Sequence, residues 1–595
     1  MFLMKWIKRE PPKTEYEYFD TDENIIERIA EIRGLDPEKI NDFLEPSEDN
    51  LNEPTLMRNL EKASLRIYDA ILGEQKIVVS ADIDTDGITS NTLAIRFLKE
   101  HGKVPDNNIT YIYTQRDGGH GISAQLKEHY DSKGQKKELN ELSYKNREIL
   151  KDCDLLIIVD SSSNDYEGLK YVSDNYKCDI IILDHHDLNI RNDEDKEIIK
   201  KIEDMVTLVN PQHPECNYPN KHLSGVGVVY KVMTRVSQIM NEKLGVMPCN
   251  MNHYHDLVAV GMISDMMNVS NLENRYLMIN GLRNFNNVGL RRIIKGAKGN
   301  PDFVTSTDVG FSIGPLINAS ARMGQIELAL ELLLTDIDTR KEGAMPLRLK
   351  MSKLNDKRRE KQKNLTDYFK TKVNEDDKIL ILIDDERKSD SGFNGLVAQN
   401  LAQEYQRPCF ILSERKNLYS GSGRSYGGFN TKDFIEKSGL ATGQGHQQSH
   451  GIDIPKENLD KLKKYINNNM PKIEESIIYY DLDLNIQNSE QYISDIEKFN
   501  FLTGSGFPEI KIRGFNATVM DRNVIGSKKN TVKISLDNGF EIIKFNVDDK
   551  YAEDVDTFTE IEVIGKLGMN SWYNFSTKEM THVPQIQIDD YKVID

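Results

Sequence analysis

The sequence predicts an α/β protein in four parts: a lobe built on a parallel sheet, a long connecting helix, a second α/β lobe and a small C-terminal β-barrel. Three observations predict this class. From Lys76 to about Leu290, short and continuously apolar runs alternate with helical patterns, as in sheets buried on both faces. A long helical pattern follows Pro346. Beyond Glu509, short strands are separated by turn residues, which is typical of a barrel.

Composition limits the class of protein and its compartment. With 595 residues, 38% hydrophobic and 29% charged, the chain fits a soluble protein of several domains. We find neither a signal peptide nor a run near the ~20 apolar residues of a spanning helix, so no membrane partner is expected. The five scattered cysteines favour a reducing cytoplasm, without disulfides or a thiolate zinc site. The net charge of −18 leaves nucleic acid open as a partner, because binding needs only a local positive surface.

The N-terminal residues 1–75 are predicted to form a leader of short helices. Thr21 and Asp22 offer an N-cap, and an amphipathic pattern of isoleucines follows them. A structural role is the expectation for this leader.

An acidic motif at residues 80–87 organises the first lobe. It lies between a β-rich run and a helical pattern, and Asp82, Asp84 and Asp86 alternate within it. On extended backbone, alternate side chains share one face, so we expect the three carboxylates to converge. They repel each other unless a cation lies between them, and hard divalent cations prefer oxygen ligands. An acidic surface turn is the alternative, and this motif alone does not decide.

Three later apolar runs also end in groups that can bind metal. The run 155–159 leads into Asp160, the run 178–183 leads into Asp184-His185-His186, and the run 257–264 leads into Asp265. In open α/β sheets the functional crevice lies outside the carboxyl ends of the strands. Four such clusters are hard to explain as ordinary surface residues, so the sequence predicts a metal site at this edge.

These motifs, in this order, resemble the DHH phosphoesterase superfamily, and within it the RecJ family of single-strand-specific 5′→3′ exonucleases. The resemblance covers nearly the whole chain. It implies a helical leader at 1–75, a DHH catalytic domain at 76–340, a connecting helix at 341–373, a DHH-associated domain at 374–472, and a linker with an OB-like domain at 473–595.

The resemblance also implies two divalent cations, with Mn²⁺ ahead of Mg²⁺, that activate water and stabilise the charge on the phosphate. Asp160 is expected to bridge them, and Asp184 to orient the first imidazole from behind. The proposed ligands are Asp82, Asp84, Asp86, Asp160, His185 and Asp265.

Two arginines of the first lobe are candidates for contact with the 5′-terminal phosphate. Arg116 lies in a Gly-rich loop that resembles the family's phosphate loop, although His120 stands where an aromatic residue is usual. Arg322 follows Gly-Pro and Asn-Ala at the family's spacing. The alternatives are an exposed arginine in an ordinary turn and a weak surface salt bridge.

The connecting helix is predicted over Lys350–Lys372 and is strongly basic. Between Arg348 and Lys363 there are eight positive and two negative residues, or +6, within a chain of −18. A solvated face is the common explanation of such a run. Because this run opposes the charge of the whole chain, tracking of a nucleic-acid backbone is at least as good an explanation.

Two glycine-rich stretches in the second lobe, 421–425 and 443–446, are predicted to be loops whose N–H groups suit an oxyanion. They resemble two signatures of the DHH-associated domain. Ser422 and Arg424 would then hold the 5′ end, and His446 would join His186 at the scissile phosphate. The chain departs from the family pattern at Gln444, in the polar residues 447–450, and in lacking Trp-His before Gly392.

The barrel is predicted from short strands at 510–512, 517–519, 531–535, 541–545, 560–564 and 585–588. An OB-like fold of this kind binds single strands on one face. Candidates for charge and stacking are Arg522, Lys528, Lys529, Trp572 and Tyr573.

Taken with the resemblance, these features predict a monomeric, cytoplasmic, metal-dependent exonuclease of single-stranded DNA that releases 5′-mononucleotides, with Asp160, His186 and His446 as catalytic residues. A single-strand-binding protein or a helicase is the expected protein partner. One alternative is a phosphodiesterase of short oligonucleotides or cyclic dinucleotides, which does not need the barrel or the basic helix. Another is a non-catalytic nucleic-acid-binding scaffold, which does not need the metal ligands.

Overall fold

The computed structural model describes residues 4–17, 24–114, 120–126, 141–190, 192–336, 343–386, 388, 391–445, 447–471, 477–526, 528–574 and 579–594, with the backbone alone at 391 and 572–574. The chain divides into two compact units, Met1–Glu45 with Pro471–Asp595, and Pro46–Met470. The predicted leader at 1–75 is therefore shared between the units. The division into five domains remains a prediction.

The N-terminal segment of the first unit contains β1 (Lys5–Lys8), α1 (Ile25–Arg33) and α2 (Ile40–Leu44). Helix α1 begins at Asn24, whose side chain accepts a hydrogen bond from the Ile26 amide, as N-cap residues do. The predicted cap at Thr21 and Asp22 lies outside the described residues.

A five-stranded, all-parallel sheet forms the first lobe of the larger unit, with the strand order β3-β2-β4-β5-β6. All residues of the two central strands β2 and β4 are buried, which explains their unbroken apolar runs. The α/β class is confirmed. The elements are α3 (Leu60–Leu72), β2 (Ile77–Ser80), α4 (Thr85–Glu100), β3 (Ile109–Ile112), α5 (Gly121–Leu126), α6 (Glu141–Leu150), β4 (Leu155–Val159), α7 (Tyr166–Asn175), β5 (Asp179–Leu183), α8 (Asp193–Met205), β6 (Thr207–Val209) and α9 (Gly225–Leu244).

A helical region completes this lobe. Within it, a π-helical turn, Val309–Ile313, continues directly into a helix. The region contains α10 (His255–Ser264), α11 (Leu272–Arg283), α12 (Val288–Gly296), α13 (Ser306–Asp308), α14 (Gly314–Arg322) and α15 (Glu327–Leu333).

The connecting helix α16 (Ala344–Lys370) begins earlier than predicted. Pro346 lies in its first turn, where an N–H group has no helical partner and proline is tolerated. Five basic residues of the predicted run are exposed along this helix: Lys350, Lys353, Lys357, Arg359 and Lys363.

The second lobe contains a five-stranded mixed sheet with the order β10-β11-β9-β8-β7, in which only β7 and β8 run parallel. Helix α17 packs on β8 and β9. The elements are β7 (Leu380–Asp384), α17 (Ser391–Tyr405), β8 (Cys409–Glu414), β9 (Leu418–Arg424), α18 (Thr431–Lys437), β10 (Thr442–Gly445), β11 (Ser449–Pro455) and α19 (Leu459–Asn469).

The prediction that the two glycine-rich stretches of this lobe are loops is wrong. Residues 418–424 and 442–445 are strands. The glycines are needed for close approach instead: a Cβ atom at Gly423 would lie 2.5 Å from Nε2 of His450, and one at Gly421 only 1.9 Å from the Ile411 carbonyl oxygen.

The rest of the first unit is mainly β-structure. Strand β12 pairs with β1, and the pairs β14–β15, β15–β16, β16–β18, β18–β17 and β17–β14 close a ring of five strands, the connectivity of an OB fold. The strands are longer than predicted, because a bulge between Gly514 and Ala517 lets two predicted strands join as β14. The elements are β12 (Ile477–Tyr480), β13 (Leu482–Asn485), α20 (Ile493–Asn500), β14 (Ile512–Ile525), β15 (Thr531–Leu536), β16 (Glu541–Phe545), β17 (Glu560–Asn574) and β18 (Glu579–Ile594).

Within the described ranges, every helix is too short or too polar to cross a bilayer.

Candidate metal centre

The ends of three neighbouring strands position the centre. In the parallel register, Ser80 of β2 lies beside Ile158 of β4, and Val159 lies beside Leu183 of β5. The acidic motif, Asp160 and Asp184-His185-His186 follow these strand ends directly. They therefore lie at one edge of the sheet, as the sequence predicted.

The backbone of the acidic motif differs from the extended segment that we expected. Helix α4 already begins at Thr85, so Asp86 lies in its first turn, and Asp84 is its N-cap and accepts a hydrogen bond from the Gly87 amide at 3.1 Å. Helix and strand geometry together, and not strand alternation alone, bring the carboxylates to one place.

All six predicted ligands lie in groups compact enough to hold a metal ion. Nε2 of His185 lies 3.2 Å from Oδ1 of Asp160, 3.3 Å from Oδ2 of Asp265 and 3.9 Å from Oδ2 of Asp86. In each group, one ligand atom per residue lies within 4.8 Å of the others. The groups are Asp82-Asp84-Asp160, Asp86-His185-Asp265 and Asp160-His185-His186.

Asp265 reaches the centre from a helix. The apolar run before it forms α10, and Asp265 is the C-cap of that helix. The sequence placed this carboxylate correctly after an apolar run, but the run is a buried helix, which apolar composition alone does not distinguish from a buried strand.

Burial and mutual repulsion make the carboxylates of the centre costly to ionise. Burial, followed by the charges of Asp82 and Asp86, raises the pKa of Asp84 to about 6. Burial, followed by the charges of Asp86 and Asp84, raises the pKa of Asp265 to about 8. The same causes raise the pKa of Asp160 well above its ordinary value. A cation in their midst would remove this cost.

The donor set suits a divalent metal. Among the described residues, three buried ligand atoms of the centre lack a hydrogen-bond partner: Oδ1 of Asp82, Oδ1 of Asp160 and Nε2 of His185. An unpaired buried polar atom is costly unless something binds it. Burial lowers the pKa of His185, so its ring is neutral, which is the form that binds metal. Carboxylate oxygens with imidazole suit Mn²⁺ or Mg²⁺.

The expectation that Asp184 orients the first imidazole is wrong. Oδ1 of Asp184 lies 2.7 Å from Nδ1 of His186, the second imidazole, and accepts the His185 amide at 2.8 Å. Oδ1 of Asp184 thus contacts the two residues that directly follow it in the chain. Although burial alone would lower it, Asp184 raises the pKa of His186 to about 10.

Sequence reasoning missed the residues that hold Asp86. Its carboxylate accepts hydrogen bonds from the Ser224 hydroxyl at 2.9 Å, the Gly225 amide at 2.6 Å and the Val226 amide at 3.3 Å, all at the N-terminus of α9. A Cβ atom at Gly225 would lie 2.5 Å from Oδ1 of Asp160. A helix N-terminus of small residues near an acidic motif is the signal that could have found it.

His120 supports another carboxylate of the centre. Its Nδ1 lies 3.0 Å from Oδ2 of Asp82, so this imidazole holds one oxygen of the carboxylate and leaves buried Oδ1 to face the centre. Sequence reasoning assigned no supporting role to this residue. Partners that orient metal ligands in this way strengthen metal binding.

We expect His120→Ala to weaken Mn²⁺ binding about tenfold, because Asp82 loses the contact that orients it. Isothermal titration of the metal-free protein with Mn²⁺ measures the affinity. His582→Ala, which removes an exposed imidazole of the other unit, is the matched control and should change nothing. An affinity of His120→Ala equal to that of the unchanged protein would contradict the supporting role.

The structure places the predicted substrate residues in different surroundings. Nη1 of Arg322 donates to the Gly392 carbonyl, which joins α14 to the start of α17. Nη1 of Arg424 donates to the Gly423 carbonyl at 2.8 Å, and Ser422 lies in the middle of β9. Arg116 and His446 lie outside the described residues. The roles of these five residues in substrate binding remain predictions.

Comparison with known proteins agrees with this fold. The DHH family, N-terminal domain, matches residues 76–262, and the RecJ OB domain matches residues 480–582. The single-stranded-DNA-specific exonuclease RecJ of Bacillus subtilis is 26% identical over 99% of this chain and 71% of its own length. The chain is therefore similar to the RecJ family of the DHH superfamily over nearly its whole length.

Other RecJ relatives extend the likeness. YorK, a putative SPbeta prophage-derived single-strand DNA-specific exonuclease of Bacillus subtilis, is 27% identical over 95% of both chains. The crystal structure of RecJ in complex with Mn²⁺ from Thermus thermophilus has the same fold: its TM-score is 0.71 at 20% identity, over all of this chain and 80% of that one. Exonucleases are hydrolases, as these relatives are named. This chain has acidic and imidazole groups placed to hold a metal.

Proposed function

We propose that this chain is a metal-dependent exonuclease that hydrolyses single-stranded DNA from the 5′ end and releases 5′-mononucleotides. The observation that carries the proposal is the centre itself: buried carboxylates and a neutral imidazole with unpaired ligand atoms at one sheet edge. Its relatives over nearly the whole chain are named as single-strand-specific DNA exonucleases.

Two divalent cations, Mn²⁺ or Mg²⁺, fit the proposed ligands. Asp82 and Asp84 would hold one, and Asp86, His185 and Asp265 the other. Asp160 belongs to two of the compact groups, which supports a bridging position. When bound, such cations lower the pKa of a water molecule and offset the charge that develops on the scissile phosphate.

The protein's own groups would bind and orient the strand. His186, held by Asp184, would donate a hydrogen bond to the scissile phosphate, and His446 would do the same from the second lobe. Arg116, Arg322, Ser422 and Arg424 would anchor the 5′-terminal phosphate, which sets the direction of cleavage. The exposed basic residues of α16 would follow the backbone of the strand.

We extend the proposal to the biological setting. The protein acts as a monomer in DNA repair or recombination, beside a helicase or a single-strand-binding protein that supplies the strand. Co-purification with tagged candidates and sedimentation of the purified chain test these two points.

The test is an assay with end-labelled DNA and RNA, single- and double-stranded, with Mn²⁺ or Mg²⁺, resolved by product length. We expect mononucleotides from the 5′ end of single-stranded DNA alone. Removing the 5′ phosphate should slow degradation about tenfold, because a charge-assisted anchor is lost. Equal rates with and without the phosphate would refute the anchor. Faster hydrolysis of a dinucleotide than of a long strand would favour the small-substrate alternative.

A further inference from the structure

Met266 has a backbone conformation that its side chain does not explain. It ends α10 with φ of 55°, in the left-handed region. Its amide bonds to the Ile263 carbonyl at 3.2 Å, and the next amide, of Met267, bonds to the Met262 carbonyl at 3.0 Å. These two bonds form the Schellman motif. Glycine usually occupies its left-handed position, because the Cβ atom of any other residue makes this backbone conformation unfavourable.

Packing does not compensate this strain. The Met266 side chain is 72% exposed, so its apolar surface gains little from the fold. Glycine would relieve the strain and expose less apolar surface. Uncompensated strain of this kind is concentrated at functional sites, so the surroundings of Met266 decide whether it has a function.

The position of Met266 indicates what that function is. It directly follows Asp265, whose carboxylate belongs to the metal centre and is itself partly exposed. The π-helical turn Val309–Ile313 packs on α10 and carries a second exposed apolar side chain, Phe311, which is 80% exposed. Single π-turns in helices occur often at functional sites. An exposed apolar side chain thus directly follows a residue of the metal centre, and a second one lies on the turn that packs on the same helix.

We propose that Met266 packs against the base of the nucleotide that is being removed, while the metal centre holds its phosphate. This inference rests on the proposed function, because the ligand is a nucleobase of single-stranded DNA. A flexible thioether side chain contacts any base face without reading its edge, so it suits an exonuclease without sequence preference.

The experiment compares Met266→Gly and Met266→Leu with the unchanged protein on two 5′-phosphorylated single strands. One carries bases throughout, and the other has abasic residues at the first three positions. We expect Met266→Gly to lower kcat/KM about tenfold on the first strand and to leave the second unchanged. Met266→Leu should retain activity on both. Met266→Gly should also raise the Tm by about 2 °C, because strain is relieved.

Gln406→Gly is the matched control. Gln406 is exposed, has φ of 52°, and is followed by the same six-to-one bond, from the Arg407 amide to the Ala402 carbonyl. It should gain stability without losing activity on either strand.

Two results would overturn the inference alone: unchanged cleavage of the base-containing strand by Met266→Gly, or an equal loss on both strands, which would indicate damage to the metal centre. If the unchanged protein cleaves neither strand with Mn²⁺ or Mg²⁺, the proposed function fails and this inference fails with it.

Discussion

Asp160→Asn is expected to reduce metal-dependent hydrolysis of single-stranded DNA roughly a thousandfold, which corresponds to about 4 kcal/mol of lost transition-state stabilisation. Asp160 is common to two of the compact ligand groups, and its buried Oδ1 has no hydrogen-bond partner within the described part of the chain. Asparagine keeps the shape of the side chain but removes the charge that a bridging ligand supplies. Titration with Mn²⁺ should show weaker binding, and gel assays should show the loss of activity.

The same substitution should stabilise the metal-free protein against unfolding. Burial, followed by the charges of Asp86 and Asp84, raises the pKa of Asp160 well above its value in the unfolded chain. Ionisation therefore costs folding free energy at neutral pH, and this cost disappears at a pH below both pKa values. Asparagine also tolerates the φ of 58° at this position. Thermal unfolding with excess chelator should show a higher Tm for Asp160→Asn, whereas added Mn²⁺ should stabilise mainly the unchanged protein.

Asp193→Asn is the matched control, because this carboxylate is exposed at the start of α8 and belongs to none of the compact ligand groups found among the described residues. It should change neither activity nor metal binding. More than a tenth of normal hydrolysis by Asp160→Asn, or unchanged affinity for Mn²⁺, would refute the bridging role. A lower Tm without metal would contradict the electrostatic account of the centre.

The strand ends of the centre could be predicted because a buried parallel strand has a simple signature. Leu155–Val159 is an unbroken apolar run, and the residue that follows it must lie at the carboxyl edge. Parallel register then brings Asp160 beside Asp184 and His185 without knowledge of any side-chain contact. The order of these motifs also indicated the similarity to the RecJ family.

The contacts that support the ligands could not be predicted, because periodicity does not identify partners distant in sequence. Asp86 is held by residues 138 to 140 positions later, and Asp82 by His120, 38 positions later. The glycines of β9 predicted a loop, but the structure explains them by close packing within the sheet. His450, which leaves no room for a side chain at Gly423, lies on the neighbouring strand β11. The sequence shows where the glycines are, but the atoms that lie close to each glycine, which explain why a side chain is not tolerated there, are seen only in the structure.

The second large effect is expected at a buried ion pair behind the metal centre, where Lys231→Met should destabilise the larger unit by about 3–5 kcal/mol. Nζ of Lys231 lies 2.6 Å from Oε1 of Glu273, and both side chains are almost completely buried. Methionine would leave the Glu273 carboxylate buried without its cation. Urea unfolding of the metal-free protein measures the loss as a lower midpoint.

The exposed ion pair of Lys170 and Asp174 provides the control, since Lys170→Met should cost less than about 1 kcal/mol. The double variant Lys231→Met with Glu273→Gln should recover much of the loss, because glutamine removes the unpaired charge. Its amide oxygen can take the place of Oε1, which accepts from Tyr218 and the Asn52 backbone amide. Asn220 donates to Oε2 and loses that acceptor, so the recovery should be incomplete. A double variant no more stable than Lys231→Met would show that lost packing, and not the unpaired charge, causes the destabilisation.

This ion pair should also affect metal binding, because it joins the two helices that support the centre. Lys231 belongs to α9, whose N-terminus holds Asp86, and Glu273 belongs to α11, which packs on α10 before Asp265. Loss of the pair lets these helices shift, so Lys231→Met should bind Mn²⁺ more weakly at temperatures where it remains folded. If the double variant recovers its affinity for Mn²⁺ together with its stability, the balance of the buried charges keeps Asp86 and Asp265 in their positions as metal ligands. Full affinity in Lys231→Met would mean that the strand ends alone position the metal ligands.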